Sequence, residues 1–230
     1  MKCVILAAGK GERMRPLTLK NPKPLLKVNG KAIIDYILEA LPSEITEVII
    51  AVRYLRSKIK KHVGTKNRGR IVMYVLGSDK GTAYSFLAAK KYLKNERFLF
   101  VYGDEIPNKA DIAGCLKNDL SILTFKSKNP QANGIAYLRR DGSIKKIVEK
   151  PKKSTSRIGV DGVMVLNTDI FKYMPKLASG EFYLSTMVGM FVQKHKVFPI
   201  KARNFIGDIS TPNDLIRAGK IIATRYNRKN

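Results

Sequence analysis

Residues 2–26 have the sequence KCVILAAGKGERMRPLTLKNPKPLL, and this stretch decides the fold prediction. Its first residues, Lys2–Ala7, are apolar and rich in branched side chains, which is typical of a short buried strand. Gly9 and Gly11 follow at once, so the strand is expected to end in a glycine-containing loop. Open α/β sheets bind their ligands at the carboxyl ends of such strands. The stretch therefore predicts a ligand-binding sheet edge near the amino terminus.

Outward from this stretch, the first half of the chain alternates apolar runs with segments of helical spacing. Further strands are predicted at residues 47–52, 71–76 and 98–102, and helices at 33–41, 55–63 and 82–93. This alternation predicts an α/β fold with a mostly parallel sheet and helices on both faces.

The second half of the chain has a different pattern. Strands are predicted at residues 120–125, 135–138, 144–148, 160–166 and 197–200, and helices at 184–192 and 214–226. Asp141 and Gly142 are typical of a hairpin turn. We therefore predict one domain over residues 1–230, in which a parallel half (1–118) carries a more antiparallel half (119–230).

Composition limits the function classes. The 230 residues suffice for a sizeable core, and 44 Lys and Arg against 18 Asp and Glu give a net charge of +26. Such an excess favours anionic partners: nucleotides, phosphorylated metabolites, nucleic acid or an acidic membrane surface. The lysines lie in dispersed groups, without a basic strand that carries interleaved aromatic residues. We therefore predict no specific nucleic-acid partner, although weak, salt-sensitive binding to polyanions is expected.

The few cysteines and histidines exclude several classes. Cys3 and Cys115 are too few for a disulfide scaffold, and His62 and His195 too few for a histidine-rich metal centre. No apolar run approaches the ~20 residues that span a bilayer, and charge interrupts the amino terminus too early for a secretory signal. We predict a cytoplasmic protein without a membrane span. The sequence leaves homo-oligomer formation open.

The loop after the first strand has the composition of a phosphate-binding segment. Small residues let backbone N–H groups approach phosphate oxygens, and Arg13 and Arg15 add guanidinium groups suited to a polyphosphate. The loop lacks the Gly-Lys-Ser/Thr of a Walker A motif, and Met14 stands where the dinucleotide fingerprint has its third glycine. Turn geometry alone is the alternative explanation for Gly9 and Gly11.

Two prolines flank a lysine a few residues later. Pro22 and Pro24 are expected to hold the neighbouring backbone extended and thereby to give Lys23 a fixed direction. The alternative is a rigid loop with a solvated lysine.

Together these segments resemble the signature of the sugar-1-phosphate nucleotidylyltransferases, which combine a nucleoside triphosphate with a sugar 1-phosphate to give a nucleotide-sugar and pyrophosphate. Later segments match the family in order: Gly81-Thr82-Ala83, Tyr102-Gly103-Asp104, Gly134, Glu149-Lys150-Pro151 and Gly207-Asp208-Ile209-Ser210-Thr211-Pro212. The match covers nearly the whole chain. The resemblance implies the Rossmann-like nucleotide-diphospho-sugar transferase fold, with a nucleotide-binding half over residues 1–118 and a sugar-phosphate-binding half over residues 119–230.

The resemblance also implies residue roles on the nucleotide side. The nucleotide-binding residues would be Leu6, Ala8, Gly9, Gly11, Arg13, Gly81 and Asp104. The catalytic residues would be Arg13, which neutralises the departing pyrophosphate, Lys23 beside the reacting phosphates, and Asp104. Asp104 and Asp208 would hold Mg²⁺ as cofactor, because this ion takes oxygen ligands. Taken singly, each aspartate has a structural alternative as a helix cap or turn acceptor.

On the other side, the resemblance implies sugar-phosphate contacts. The residues concerned are Gly134, Glu149, Lys150, Gly162 and Glu181. Glu149 would accept hydrogen bonds from sugar hydroxyls, Lys150 would pair with the phosphate, and the glycines would let the sugar approach the backbone. A solvated strand end is the alternative for Glu-Lys-Pro. The implied mechanism is direct in-line attack by the sugar phosphate on the α-phosphorus, without a covalent intermediate.

Departures from the family pattern leave the substrates open. Leu76 stands where members that recognise a pyrimidine often carry Gln, and residues 183–186 lack an acidic residue common in relatives. The chain resembles a minimal catalytic domain, and minimal relatives also include enzymes that activate phosphocholine or muramic acid 1-phosphate. A phosphocholine enzyme would need an aromatic box; the aromatic candidates are Tyr137, Tyr173, Phe182 and Tyr183. A catalytically inactive, nucleotide-binding regulatory paralogue is a further alternative.

Overall fold

The computed structural model describes residues 1–178, 180–203 and 205–227. The strands are β1 Lys2–Ala7, β2 Lys27–Val28, β3 Lys31–Ala32, β4 Glu47–Val52, β5 Lys66–Asn67, β6 Arg70–Leu76, β7 Arg97–Tyr102, β8 Ser121–Lys126, β9 Gly134–Leu138, β10 Ile144–Glu149, β11 Ile158–Asn167, β12 Leu177–Ala178, β13 Glu181–Phe182 and β14 Phe198–Lys201. The α-helices are α1 Ile33–Ala40, α2 Arg56–Val63, α3 Thr82–Leu87, α4 Lys109–Leu116, α5 Leu184–Lys194 and α6 Pro212–Asn227.

Ten of the strands form one mixed sheet in the order β10-β9-β11-β7-β1-β4-β6-β5, with β8 on β11 and β14 on β8. In the first half, β1 lies between β7 and β4 and pairs with both in parallel, and β4 pairs in parallel with β6. The register sets Leu6 beside Tyr102 and Ala7 beside Val52. The carboxyl ends of these strands therefore meet at one edge, and the predicted parallel half is confirmed.

The second half of the chain extends the same sheet with antiparallel strands. Strand β11 pairs antiparallel with β7, β8 and β9, and β9 and β10 form a hairpin. The hairpin turns at Gly142, which has a φ of +81° and donates its N–H to the Arg139 carbonyl at 3.1 Å. This left-handed backbone favours glycine. The predicted hairpin and the more antiparallel second half are confirmed.

Helices cover both faces of the sheet, as predicted. On one face, Cys3, Ile5 and Ala7 of β1 pack into a core shared with α1, α2, α4 and α6. On the other face, Val4 and Leu6 pack with α3 and α5. Burial of each large apolar side chain contributes about 1.5 to 3 kcal/mol, so the two cores fix the sheet and hold its functional edge rigid.

One predicted helix is wrong in its length. We expected a continuous helix over residues 82–93, but α3 ends at Leu87 and a separate 3-10 turn spans Lys90–Tyr92. The Ala89 N–H donates to the Phe86 carbonyl at 2.9 Å, three residues back rather than four, and this tighter turn interrupts the helix.

Helix α4 follows β7 and escapes prediction from the sequence pattern. Its cap is the Asn108 side chain, which accepts a hydrogen bond from the Ala110 N–H at 2.8 Å. Gly114 lies inside the helix and lowers its helical propensity by about 1 kcal/mol. Packing of Ile112 and Cys115 into the core therefore decides the helix, and the local sequence does not.

The length and apolar character of the helices decide whether any of them could span a membrane. The longest described helix, α6, has 16 residues, and none of the helices in the described ranges is both long and apolar enough to cross a membrane.

Candidate active site

The loop after β1, residues 8–20 and called the glycine loop here, starts at the carboxyl edge of the sheet. Gly11 adopts a left-handed conformation with φ of +64°, and its carbonyl accepts the Met14 N–H at 2.9 Å. The Met14 side chain is fully buried, which explains why a third glycine would not serve at this position. With Met14 as anchor, Arg13 points outward and donates a hydrogen bond to the Ser210 hydroxyl at 3.0 Å.

Lys23 is held between two buried prolines. Pro22 is extended as expected, but residues Lys23–Leu25 form a 3-10 turn, so the expected extended backbone after the lysine was wrong. The Lys23 ammonium lies 2.5 Å from the Asp104 carboxylate, and the lysine side chain is only 13% exposed. The lysine is therefore a buried ion-pair partner at the sheet edge and not a solvated loop residue.

Asp104 and Asp208 come from distant parts of the chain, and a backbone hydrogen bond joins their two segments. The Ile209 N–H donates to the Asp104 carbonyl at 2.9 Å, which joins the loop before α6 to the end of β7. The Ser210 hydroxyl, which accepts from Arg13, donates in turn to the Asp208 carboxylate. Arg13, Lys23 and the two aspartates therefore meet at one place.

The structural alternative for Asp208, a helix cap, is filled by another residue. Asp214 accepts the N–H groups of Ser210 and Thr211 at 3.0 and 2.8 Å and so caps α6. In the described part of the chain, no group of three or more His, Cys, Asp or Glu is placed to hold a metal. Two carboxylates still fit a hard cation such as Mg²⁺, which completes its shell with phosphate oxygens and water.

The other residues of the predicted nucleotide site line the same edge. Leu6 and Ala8 lie at the end of β1, and the Leu6 carbonyl accepts the Gly103 N–H at 2.8 Å. Gly9 has open space where a Cβ would stand, whereas a Cβ on Gly81 would lie 2.5 Å from the Phe182 carbonyl oxygen. Close contact with the backbone of β13 thus requires a glycine at position 81, independently of any ligand.

Leu76 ends β6 at this edge and is 56% exposed. Behind it, the Ser78 N–H and carbonyl both bond the Ser85 hydroxyl, at 3.0 and 3.2 Å. The loop that follows β6 is thereby tied to α3, and the apolar Leu76 side chain is left on the surface of the candidate site.

The predicted sugar-phosphate residues lie on the antiparallel side. Gly134 and Glu149 are opposite each other in the β9–β10 ladder, and a Cβ on Gly134 would lie 3.1 Å from Glu149 Oε2. Lys150 has a φ of +43° and donates its N–H to the Asn133 carbonyl at 3.0 Å. Glu149, Lys150 and Glu181 are all exposed. Within the described ranges, no hydrogen bond or ion pair joins Lys150 or Glu181 to Asp104.

Gly162 packs against Tyr102 and Glu105. The sequence motifs gave no role to Glu105 or to its neighbour Asp161. A Cβ on Gly162 would meet the Tyr102 ring at 2.2 Å and the Glu105 carboxyl at 2.5 Å. Burial and the Asp161 charge raise the pKa of Glu105 well above its ordinary value, and burial raises the pKa of Asp161. The two carboxyl groups are close enough to hydrogen-bond, and such a bond requires one proton between them. Burial also raises the pKa of Tyr102.

The aromatic candidates for a choline box are separated by their contacts. Tyr173 packs against Phe191 and His195, and Phe182 packs edge-on against Tyr84. The Tyr137 hydroxyl bonds Ser154 at 2.8 Å on the β9–β10 side. Tyr183 precedes α5 as its N-terminal flanking residue. These contacts place the side chains of Tyr137, Tyr173 and Phe182 in different surroundings.

Comparison with known proteins decides the family. The sequence model of the nucleotidyl transferase family matches residues 2–225, nearly the whole chain. The chain belongs to the nucleotidyl transferase family. The resemblance proposed from the motifs is confirmed.

Among curated nucleotidyl transferase relatives, the bifunctional protein GlmU of Methanocaldococcus jannaschii is 31% identical over 230 residues, which are 99% of this chain and 55% of that protein. The chain thus spans about half the length of such relatives. The UTP–glucose-1-phosphate uridylyltransferase AglF of Haloferax volcanii is 27% identical, with 93% of both chains covered.

Fold comparison agrees with the family assignment. A protein from Bacillus anthracis, described as a glucose-1-phosphate thymidylyltransferase and solved with sucrose, superposes with a TM-score of 0.82 at 22% identity. The superposition covers 96% of this chain and 94% of that chain. The predicted Rossmann-like nucleotide-diphospho-sugar transferase fold is confirmed.

Proposed function

We propose that this nucleotidyl transferase transfers a nucleotidyl group from a nucleoside triphosphate to a sugar 1-phosphate, with release of pyrophosphate. The observation that carries the proposal is the meeting of Arg13, Lys23, Asp104 and Asp208 at one sheet edge, with Lys23 2.5 Å from Asp104. Two cations beside two carboxylates suit a polyphosphate and a divalent ion together. The uridylyltransferase relative supports the same reaction class.

The glycine loop would bind the triphosphate. Gly9 is open to solvent, so its backbone N–H can approach phosphate oxygens, and Arg13 stands at the mouth of the loop. Arg13 would neutralise charge on the departing pyrophosphate. Lys23 would contact the α-phosphate, where negative charge increases as the new bond forms.

Asp104 and Asp208 would hold Mg²⁺, which would screen the phosphate charge and orient the leaving oxygens when bound. The donor set fits this ion, because both side chains offer hard oxygen ligands and the remaining positions suit phosphate and water. Lys23 balances the Asp104 charge and would add its own positive charge beside the phosphates.

The acceptor would lie over the antiparallel half. Glu149 would accept hydrogen bonds from sugar hydroxyls, Lys150 would pair with the sugar phosphate, and Gly134 and Glu181 would complete the surface. Gly162 is buried against Tyr102 and Glu105, so we do not propose it as a sugar contact. Residues 1–118 would thus bind the nucleotide and residues 119–230 the sugar phosphate. We place the reaction in the cytoplasm, where nucleoside triphosphates are abundant.

The direct test is pyrophosphate release by the purified protein with Mg²⁺. The panel would combine the common nucleoside triphosphates with sugar 1-phosphates, including glucose 1-phosphate, and with phosphocholine and muramic acid 1-phosphate as competing acceptors. We expect release with one sugar 1-phosphate and dependence on added Mg²⁺.

Activity with phosphocholine alone would refute the sugar-phosphate assignment. Nucleotide binding without turnover on any acceptor would instead support the inactive regulatory paralogue. Activity that persists in excess chelator would refute the metal assignment while leaving the transfer reaction in place.

A further inference from the structure

The segment that follows β4 contacts the glycine loop from outside the candidate active site. We infer that Tyr54 is a positioning residue that holds the glycine loop in its triphosphate-binding conformation. The inference rests on the proposed function, because it assumes that the ligand of this loop is a nucleoside triphosphate. Tyr54 itself would touch neither the substrate nor the reacting atoms.

Tyr54 binds the glycine loop at both ends. Its backbone N–H donates to the Ala8 carbonyl at 3.4 Å, where the loop leaves β1. Its hydroxyl donates to the Thr18 carbonyl at 2.9 Å and to the Leu19 carbonyl at 3.3 Å, where the loop turns back. One residue therefore fixes the distance between the two ends of the loop.

A second contact from the same segment supports this role. The Lys58 ammonium, one turn into α2, donates to the Lys20 carbonyl at 2.5 Å. The two side chains together bond the consecutive carbonyls of Thr18, Leu19 and Lys20. The segment 54–58 therefore holds the returning end of the glycine loop by three consecutive carbonyls.

The contacts continue from Thr18 to the proposed catalytic residues. Thr18 is 1% exposed, and its hydroxyl donates to the Gly11 carbonyl at 2.8 Å. A Cβ on Gly11 would lie 3.0 Å from Thr18 Cγ2 and 3.2 Å from Lys23 Cβ. Gly11 is therefore packed between Thr18 and Lys23, so displacement of Thr18 would disturb both the glycine turn and the lysine.

The residue after Tyr54, Leu55, has an unusual left-handed backbone conformation. Leu55 has a φ of +46° and lies just before α2. A bulky residue adopts the left-handed region rarely, and such conformations persist only where the surroundings enforce them. Here the left-handed residue separates the Tyr54 N–H, which points to Ala8, from the first turn of α2.

The expected effect follows from the fraction of molecules with a competent loop. Without the Tyr54 hydroxyl, the glycine loop samples other conformations, and the apparent Kd for the triphosphate rises as the competent fraction falls. Loss of one such hydrogen bond predicts about a three- to tenfold increase in Kd and in KM for the nucleoside triphosphate. The KM for the sugar 1-phosphate should stay within about twofold, because the acceptor residues lie on other strands.

The experiment compares Tyr54→Phe with Tyr74→Phe. Tyr74 is a matched control, because its half-buried hydroxyl also donates to a loop carbonyl, that of Gly64 at 2.6 Å, away from the glycine loop. Steady-state kinetics give both KM values and kcat, and calorimetric titration with the nucleoside triphosphate alone gives Kd. Melting curves compare the stability of the two variants.

The inference is supported if Tyr54→Phe raises Kd and KM for the triphosphate while Tyr74→Phe leaves both unchanged. Unchanged values in both variants, or equal increases in both, would overturn it. Titration with the triphosphate needs no turnover, so wild-type protein that binds triphosphate but releases no pyrophosphate contradicts the proposed function and still tests Tyr54. Wild-type protein that binds no triphosphate overturns the inference as well.

A second variant keeps the test valid if Tyr54→Phe does not fold. Thr18→Val keeps the shape of the side chain and removes the hydroxyl that bonds the Gly11 carbonyl. It should raise Kd for the triphosphate as Tyr54→Phe does. If both residues act through the same loop conformation, the Kd of the double variant should exceed that of the weaker-binding single variant by less than about twofold. A Kd increase equal to the product of the two single increases would show that Tyr54 and Thr18 act independently.

Discussion

The nucleotide side of the candidate site and the acceptor side differ in how much of each is already assembled. On the nucleotide side, side-chain contacts join Arg13 to Ser210 and Lys23 to Asp104. On the acceptor side, Glu149 and Lys150 at the end of β10 and Glu181 in β13 are all exposed. Side chains that are already held lose little freedom when a ligand binds, whereas exposed ones must be ordered by it. Substitutions on the nucleotide side should therefore lower kcat, and substitutions on the acceptor side should raise the KM for the acceptor.

The largest effect is expected from Asp104→Asn, which removes a carboxylate from the assembled side. We expect kcat to fall by about 10² to 10³-fold, because the Lys23 partner and one proposed cation ligand are lost together. The protein should stay folded with a modestly lower melting temperature, because the largely buried Lys23 loses its charged partner. Pyrophosphate release and a melting curve provide the measurements.

Asp169→Asn is the matched control for this change. It also removes one member of a short ion pair, with Lys172 at 2.6 Å, but far from the glycine loop. Its kcat should equal that of the wild type. Retention of near-normal kcat by Asp104→Asn would mean that the contacts on the nucleotide side are structural only.

The acceptor side is tested by Lys150→Met. Because Lys150 is exposed, its loss should raise the KM for the sugar 1-phosphate about tenfold and change kcat by less than about threefold. Lys152→Met is the control, as it removes an exposed lysine from the same loop. A large fall in kcat without a change in KM would show that Lys150 acts in the transition state, and the comparison between the two sides would break down.

Nucleobase recognition, also on the nucleotide side, is tested by Leu76→Gln. An exposed amide at the end of β6 offers both a donor and an acceptor, so the ratio of kcat/KM for pyrimidine over purine triphosphates should rise about three- to tenfold. Ile71→Gln, at the start of the same strand and 55% exposed, is the control. An unchanged ratio would mean that residue 76 does not face the base.

How far the sequence could predict these two sides depends on the range of the contacts. The parallel strands, such as Glu47–Val52, are visible because fully buried strands give continuous apolar runs. Candidate roles for Arg13 and Asp208 could be predicted from the ordered motifs, and they stay predictions. Their connection through Ser210 could not, since Arg13 and Ser210 are 197 residues apart and nothing local indicates the contact.

Local patterns failed where packing or backbone detail decides the structure. Helix α4 has a weak pattern and exists because its buried face completes a core. The glycine at position 162 suggested room for a sugar, yet its Cβ direction is filled by Tyr102 and Glu105. A glycine in a sequence indicates that something approaches closely, and only the structure shows whether that is a ligand or the protein itself.

The smallest effect is expected at the junction of the two sides, where Glu105 from the end of β7 meets Asp161 of β11. Because both pKa values are raised in the folded protein, the fold binds the shared proton more tightly than the unfolded chain does. The contribution of the pair to stability is therefore present at low pH and is lost as pH rises through the raised pKa of the pair.

Asp161→Asn removes one charge, and its amide can donate to Glu105 in place of the shared proton. We expect the free energy of unfolding at about pH 8 to rise by on the order of 1 kcal/mol and its decline with pH to flatten. Urea unfolding from about pH 5 to about pH 9 measures both, with Asp169→Asn as an exposed control. A stability profile that keeps the wild-type slope would mean that no proton is shared between the two halves of the sheet, and that their junction is held by packing alone.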